Sequence, residues 1–241
     1  MILGKREIRD NGTDSEIRKK TRLRKLAIWL LIDLIVLVVV FGLLHHKPGR
    51  YDPSVFGSGE HKPGQVSTYL THELLPKIHN EAQLGEPFSM VITQEGINEI
   101  VAGLGWPKIS DGAMLYAPAV LFVPGGVILM GTASIKGVEF VVTIVLKPKI
   151  NEQGLLNLHV AKVKVGAMNV TPLARIMAKK MYAQRLATTR IDTEAMQTKI
   201  AASLLNEEPF EPVFKVDNRK VRVEEIAIYE ENLAARLVPA P

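Results

Sequence analysis

The chain has 241 residues, of which 47% are hydrophobic and 23% are charged, values that are ordinary for a globular protein. Residues 1–25 carry nine Lys/Arg and four Asp/Glu, an excess of five that equals the net charge of the whole chain, so the rest of the chain is close to neutral. A neutral folded part does not favour nucleic-acid binding. The absence of cysteine excludes disulfides, thiolate nucleophiles and cysteine-ligated metals.

Residues 26–44 (LAIWLLIDLIVLVVVFGLL) predict a transmembrane helix, because nineteen residues at about 1.5 Å each cover most of the hydrocarbon core of a bilayer. No small-residue cleavage site follows, so we expect an uncleaved anchor in the cell membrane rather than a signal peptide. The basic residues precede the segment, which predicts a cytoplasmic tail at 1–25 and an extracytoplasmic position for residues 45–241.

Asp33 lies near the middle of this apolar segment. An ionised carboxylate at the centre of a bilayer costs about 2.5–3.5 kcal/mol on insertion scales. One interpretation is a contact with a membrane-protein partner or a proton-linked site. The other is a protonated side chain that the apolar remainder of the helix tolerates.

Residues 45–66 hold three Pro and four Gly without apolar periodicity, which predicts a flexible linker. Apolar residues at helical spacing predict a helix over 67–84. The run FSMVI (88–92) predicts a short strand. Thr93 is a suitable N-cap for a helix over 94–104, which carries an apolar stripe.

A β pattern follows in the middle of the chain. Apolar runs separated by short glycine-bearing turns predict an antiparallel meander with strands over 114–123, 127–135, 138–147 and 155–165. The third of these strands is expected to end at Pro148.

The last part of the chain mixes helices and strands. Thr171 and Pro172 are typical of a helix start, so a helix is predicted from Leu173 to about Leu186, with a second near 193–205. The runs VFKV, VRVEEIAIY and LAARLV predict three more strands. The order of elements indicates an α+β domain over 67–241, with a long bent antiparallel sheet of about seven strands and helices packed on one face.

The strand at 138–147 raises the question of which of its faces is covered. One face is wholly apolar, whereas the other is polar at its ends and apolar in its middle, at Val141 and Val145. The predicted helices must cover an apolar face. They either fill the concavity of the sheet completely, as in an ordinary α+β core, or leave an elongated apolar groove that can hold an acyl chain.

On the next strand the apolar residues change parity. They occupy one parity up to Val160 and the other from Ala161 onward, with Lys162 and Lys164 opposite. Because side chains alternate strictly, this switch predicts a β-bulge or a strand that passes between two apolar environments. The run VRVEEIAIY has the same switch at its paired glutamates.

Our leading hypothesis is non-covalent binding of a lipid or other apolar ligand, with about 0.8 kcal/mol gained per buried CH₂. The residues expected to line that surface are Val127, Leu129, Phe140, Val142, Ile144, Leu156 and Leu158. The alternative is a structural or interaction protein of the cell envelope with a solid core and no ligand, in which a sheet edge or Asp33 recruits a membrane partner. A continuous cavity favours the first; a filled core with an exposed apolar patch favours the second.

The sequence contains no nucleophile-elbow, phosphate-binding or dinucleotide-binding motif, so we expect neither an enzyme nor a cofactor. His72 and Glu73 begin like a zinc-protease motif, but Pro76 occupies the position of the second histidine. His72 and His79 are two helical turns apart and would need a third ligand to bind a metal. Solvated histidines are the simpler interpretation.

Four basic residues decorate the helix that follows Pro172 and the segment after it: Lys179, Lys180, Arg185 and Arg190. They form either a solvated face or a contact with anionic lipid headgroups, which would suit a domain tethered near a bilayer.

An ordered set of short motifs runs through the chain. The motifs are Thr93 with Ile97-Asn98, Gly131 and Gly137 around a hairpin, Pro148, Gly154-Leu155-Leu156-x-Leu158, Val163-x-Val165-Gly166 leading to Pro172, and Val223-x-x-Ile226. Over roughly residues 20–238 the set resembles that of the YpmS-like membrane-anchored proteins of bacteria. The resemblance implies a basic N-terminus, one anchor helix and an extracytoplasmic α+β domain, and it implies no chemistry. The layout is also similar to lipid-binding envelope proteins in which a long sheet wraps around a helix, an analogy that concerns the fold alone.

Overall fold

A computed structural model describes residues 11–52, 66–110, 112–188 and 195–241 of the chain. The chain divides into two compact units, Met1–Leu43 and Leu44–Pro241, and the second unit is called the domain below. Helix α1 runs over Asn11–Leu44, and its segment Arg24–Leu44 is long and apolar enough to cross a membrane. The predicted apolar helix is therefore confirmed.

The domain consists of antiparallel strands and short helices. In chain order the described strands are β1 (Phe88–Thr93), β2 (Lys108–Ser110), β3 (Ala113–Val123), β4 (Gly126–Ile135), β5 (Val138–Ile150), β6 (Leu156–Val165), β7 (Met168–Asn169), β8 (Val213–Val216), β9 (Arg219–Ile228) and β10 (Asn232–Ala240). One sheet has the order β1-β10-β9-β8, and the other has the order β2-β3-β4-β5-β6-β7. The α+β class with antiparallel pairing is confirmed, and the strands divide between two sheets where one long sheet was predicted.

The helices lie close to their predicted positions. They are α2 (Leu75–Leu84), which continues π-helical turns at Tyr69–Leu74, α3 (Gln94–Ala102), α4 (Thr171–Thr188) and α5 (Met196–Asn206). The hydroxyl of Thr93 accepts a hydrogen bond from the Gly96 amide at 3.1 Å, which confirms Thr93 as the N-cap of α3. Helix α4 begins at Thr171, two residues before its predicted start, a shift that is usual at helix ends.

The six-stranded sheet has one face that is covered by the rest of the domain. Phe122, Val127 and Leu146 of this face pack with Ile228 of β9, and side chains from α3, α5 and β10 complete the cluster. The four-stranded sheet packs its own cluster against Ala82 of α2. The domain therefore has a continuous core on one side of the six-stranded sheet, and its other face has a different cover.

Both predicted changes of parity are β-bulges. In the β5–β6 pair, Val145 pairs with Lys162 and Leu146 with Val160, so Ala161 is the extra residue. In the β9–β10 pair, Arg236 pairs with Glu225 and Leu237 with Val223, which leaves Glu224 as the extra residue. A single inserted residue moves every later side chain to the opposite face of the sheet, which explains the sequence pattern.

The outer edge of β3 is closed by side chains of α3. The Asn98 side chain accepts a hydrogen bond from the Val120 amide and donates one to the Val120 carbonyl, both at 2.7 Å. The Gln94 side chain accepts from the Phe122 amide at 2.8 Å. These bonds satisfy backbone groups that a neighbouring strand would otherwise pair.

The outer edge of β6 is closed in the same way by the C-terminal helices. The Leu158 amide donates to Ser203 Oγ at 2.9 Å, and Arg175 donates to the Val160 carbonyl at 3.1 Å. The Thr171 hydroxyl accepts from the amide of Val163 at 2.9 Å. Helices α4 and α5 are thereby fixed along this edge.

Strand β5 does not end at Pro148, as the sequence predicted, but continues to Ile150. Pro148 pairs with Leu158. The amide of Leu158 points away from β5 and donates to Ser203, so β6 does not need an N–H from Pro148. The pairing of β4 stops at Leu146, so β4 does not need it either. A proline is tolerated where no ladder hydrogen bond is lost.

Candidate functional site

The residues predicted to line a ligand surface lie on the covered face of the six-stranded sheet. Val127, Leu129 and Ile144 belong to the core cluster beneath α3 and α5, and Leu156 is buried and bridges to Phe210. Of the other three, Leu158 is half-buried beside Ser203, Val142 is half-buried in β5, and Phe140 places its ring 5.7 Å from that of His45. The role of these seven residues in lining a ligand stays a prediction.

The opposite face of the same sheet carries a groove of about 320 Å³, which we call the juxtamembrane groove. It is lined by His46, Pro48, Gly49, Arg50, Leu121, Ile128, Met130, Thr143, Val145, Lys162, Lys164, Gly166 and Ala167. The wall residues at 46–50 directly follow α1 in the chain. A volume of this size is at the lower end of small-molecule sites, and it suits a headgroup with part of one chain better than a whole two-chain lipid.

Strand pairing arranges the floor of the groove in two rows that cross the sheet. One row is Met130, Thr143 and Lys164, continued on β3 by Ala119, which packs with Tyr51 outside the groove lining, and the other is Leu121, Ile128, Val145 and Lys162. Adjacent strands are about 4.8 Å apart, so each row extends about 14 Å from β3 to β6. Along both rows the side chains change from apolar to cationic. The groove therefore has the polarity of an amphiphile with an anionic end.

The cationic end of the groove has no acidic counterpart among the described residues that line it. Arg50 and Lys162 are exposed, and Lys164 is half-buried. Among the described residues, none of these three side chains has a carboxylate within ion-pair distance. These side chains can form charge-assisted hydrogen bonds with an anionic ligand, such as a phosphate or a carboxylate.

Thr143 lies in the middle of one row and is only 8% exposed. Its hydroxyl has no hydrogen-bond partner within the described part of the chain. A buried polar atom without a partner costs about 1–3 kcal/mol. Such a group inside a groove is a reason to expect that a ligand atom pairs with it.

Tyr51 fixes the wall of the groove to the sheet. Its side chain is 4% exposed and packs with Ala119, Met130 and Val141. Its hydroxyl donates to the Ala117 carbonyl at 2.7 Å. Burial, the largest cause, raises the pKa of Tyr51 above its ordinary value, so the hydroxyl remains a neutral donor.

The linker predicted at 45–66 therefore differs from the structure in its first part. Residues 45–52 lie within the domain, and the amide of Tyr51 donates to the Pro48 carbonyl at 3.0 Å in a turn. Residues 53–65 fall outside the described residues. The composition of this stretch suggested a tether. Prolines and glycines occur both in flexible tethers and in segments that pack without regular structure, so composition does not separate the two.

A second groove, of about 510 Å³, lies near the end of the β5–β6 hairpin. Its lining includes Lys147, Lys149, Asn157 and His159, and the described residues that line it contain no aliphatic side chain apart from prolines. The Asn157 Oδ1 atom is buried without a hydrogen-bond partner among the described residues. Because this groove lacks an apolar floor, the juxtamembrane groove is the better candidate for a lipid.

His72 and His79, the two histidines of the predicted helix over 67–84, have separate polar neighbours. His79 Nδ1 lies 2.7 Å from Asp217 Oδ2, and His72 Nδ1 lies 2.9 Å from the Thr71 hydroxyl. Within the ranges that the structure describes, no group of three His, Cys, Asp or Glu side chains is arranged to hold a metal ion. Asp33 lies within the apolar segment of α1, and its two interpretations stay open.

Two patterns in the sequence together indicate part of the floor of the juxtamembrane groove. Val141 and Val145 were identified on one parity of β5, and Lys162 and Lys164 on one parity of β6. Pairing these strands in an antiparallel hairpin with one bulge places the four side chains on the same face. The contribution of Tyr51 and the wall at 46–50 has no such signal, because the contact joins segments far apart in the chain.

Comparison of the chain with protein-family models, with curated proteins and with solved structures gave no match. The likeness to the YpmS-like proteins therefore stays an expectation from the short motifs alone.

Proposed function

We propose that this protein is a single-pass membrane protein, with a cytoplasmic N-terminus, whose extracytoplasmic domain binds an anionic lipid non-covalently in the juxtamembrane groove. In this proposal the phosphate of the lipid pairs with Lys162, Lys164 and Arg50, and the adjoining apolar part lies over Leu121 and Ile128. The domain binds its ligand without converting it. The basic tail before the apolar segment supports the orientation.

The observation that carries the proposal is the graded polarity of the groove floor. The apolar end removes CH₂ groups from water, at about 0.8 kcal/mol each. The cationic end supplies charge-assisted hydrogen bonds, each contributing about 1.5–3 kcal/mol. The unpartnered hydroxyl of Thr143 belongs to the row between these ends.

The test is native mass spectrometry of the purified full-length protein in detergent, with added phosphatidylglycerol. We expect one retained lipid per chain, and we expect the Lys162→Glu plus Lys164→Glu variant to raise the Kd by at least about tenfold per lysine. The matched control is Lys147→Glu plus Lys149→Glu, which makes the same charge change in the second groove. Equal lipid retention by both double variants would refute the groove as the site.

A second variant separates binding from stability. Thr143→Val removes the unpartnered hydroxyl at nearly constant volume, so it should stabilise the lipid-free protein by about 1–3 kcal/mol while it weakens lipid binding. A stabilised variant with unchanged affinity would mean that the hydroxyl does not contact the ligand.

The second candidate is a structural or interaction protein of the cell envelope that binds no ligand. The packed cluster on the covered face, around Val127 and Leu146, supports it, because three of the residues expected to enclose a ligand, Val127, Leu129 and Ile144, pack in this cluster. A lipid-free mass for the wild-type protein, unchanged by added lipid, would establish this candidate and remove the first.

A further inference from the structure

Helix α4 exposes an apolar stripe. The side chains of Leu173, Ile176, Met177 and Met181 are 52–67% exposed. Their spacing of three, four and eight residues places them on one face of the helix. An exposed stripe of this kind marks a contact surface rather than a part of the core.

The opposite face of α4 is attached to the domain. Ala174, Ala178 and Tyr182 are half-buried, and the helix contacts α5 and β6. Arg175 reinforces this attachment through the Val160 carbonyl and through Glu207, whose Oε1 lies 3.5 Å from its guanidinium. The exposed stripe therefore belongs to a helix whose other side is packed against the domain.

The charged residues of helix α4 itself are all of one sign. The sequence of α4, TPLARIMAKKMYAQRLAT, contains four basic residues and no acidic residue. Lys179 and Lys180 are both exposed, and Lys180 falls within the stripe, four residues after Ile176. The side chain of Arg185, like the whole of Arg190, lies outside what the structure describes.

This combination distinguishes a bilayer from a protein partner. The buried centres of protein–protein interfaces are depleted in lysine, so a lysine inside an apolar stripe does not favour a second copy of the chain. Helices that lie in a membrane interface combine an apolar face with lysines, whose stems can lie along the apolar surface while the ammonium groups reach the phosphates.

The apolar segment of the same chain gives a second reason to expect a bilayer as the partner. Segment Arg24–Leu44 is long and apolar enough to span one, and the domain begins at Leu44. A tethered domain meets the surface at a high effective concentration, so a weak docking face is sufficient. We propose that the exposed stripe of α4, with Lys179 and Lys180, docks the domain on the surface of an anionic bilayer. This inference is independent of the lipid site in the juxtamembrane groove.

The absence of cysteine makes the test direct, because single-cysteine variants can be labelled without background. The full-length protein carrying Met177→Cys is labelled with a nitroxide and reconstituted in vesicles of phosphatidylcholine with phosphatidylglycerol. The collision rates of the nitroxide with oxygen and with a water-soluble nickel chelate then report how deeply the label lies in the bilayer. The control is Ile109→Cys on β2, a side chain that is 77% exposed in the same domain.

We expect the label at position 177 to be shielded from nickel and accessible to oxygen, and the label at position 109 to remain accessible to nickel. Adding Lys179→Glu and Lys180→Glu should reduce the docked fraction, by about fivefold in the docking equilibrium per lysine. The same charge change at Lys147 and Lys149 should have no effect. Equal nickel accessibility at both labelled positions would overturn the proposal. So would spin–spin coupling between two copies labelled at position 177 in detergent, because it would identify a second chain as the partner.

Discussion

Replacing Tyr51 with phenylalanine should loosen the wall of the juxtamembrane groove. The Tyr51 hydroxyl donates to the Ala117 carbonyl, so its oxygen accepts the proton of Thr132, 2.8 Å away. The substitution keeps the ring and leaves two buried groups without this partner, of which Thr132 is 4% exposed. We expect a loss of about 1–3 kcal/mol in the free energy of unfolding. In a domain of this size a loss of 2 kcal/mol lowers the Tm by about 4–8 °C.

The assay is thermal and urea unfolding of the full-length protein in detergent, followed by the fluorescence of Trp106. Its indole donates to the Val101 carbonyl at 2.8 Å, so its emission reports on the domain, and Trp29→Phe removes the signal of α1. Tyr229→Phe is the control, because that side chain is 59% exposed and should change stability by less than about 0.5 kcal/mol. A double-mutant cycle with Thr132→Val should give a coupling of at least about 0.5 kcal/mol. Equal effects of Tyr51→Phe and Tyr229→Phe, with no coupling to Thr132, would refute the attachment of this segment to the sheet.

Two further predictions concern the opposite side of the domain and its behaviour at high pH. Gly96→Ala should destabilise the domain by about 1–3 kcal/mol in the same assay, since a Cβ at this position would overlap the ring of Tyr69. The control is Gly49→Ala, because a Cβ at position 49 meets no atom within 4 Å. Equal losses of stability in the two variants would contradict the expected overlap. The pKa of Tyr116 is raised to about 12, first by burial and then by its hydrogen bond to Glu139, so the folded state keeps this proton when the unfolded chain has lost it. The free energy of unfolding should therefore fall as the pH rises from about 10 to about 12, and Tyr116→Phe should make this pH dependence less steep. If urea titrations give the same pH dependence for the variant, another group is responsible.

The bulges show what strand periodicity alone can predict. The change of parity between Val160 and Ala161 is a local property of one strand, and a change of face has few structural causes. The same reasoning located the switch near Glu224. It did not detect the bulge in β3, where Ala117 and Pro118 oppose one residue of β4 and Ala117 has a φ of 47°. An alanine in this left-handed conformation is unfavourable in isolation, so local sequence preferences do not predict this bulge.

The juxtamembrane groove could be predicted only in part for the same reason. Its floor follows from strand alternation and the registers of consecutive hairpins, all encoded within 113–165. Its wall depends on Tyr51, which reaches a carbonyl 66 residues away in the chain. The composition of the segment around Tyr51 favours a loop, and a loop that packs cannot be distinguished from one that does not without its distant contacts. The division into two sheets is non-local too, because β1 pairs with β10 at the other end of the chain.

The closure of the two sheet edges also orders the steps of folding. Asn98 reaches Val120 across 22 residues, so the β3 edge is protected as soon as its own hairpin has been synthesised. Ser203 reaches Leu158 across 45 residues, so the part of the β6 edge at Leu158 stays open until the chain beyond Asn206 has emerged, whereas Val160 and Val163 are already bonded by residues of α4. During that interval the strand presents unpaired backbone groups to any neighbouring nascent chain. Truncation before α5 should therefore yield a protein that self-associates through β6, and a chaperone that recognises this chain should act before its last helix docks.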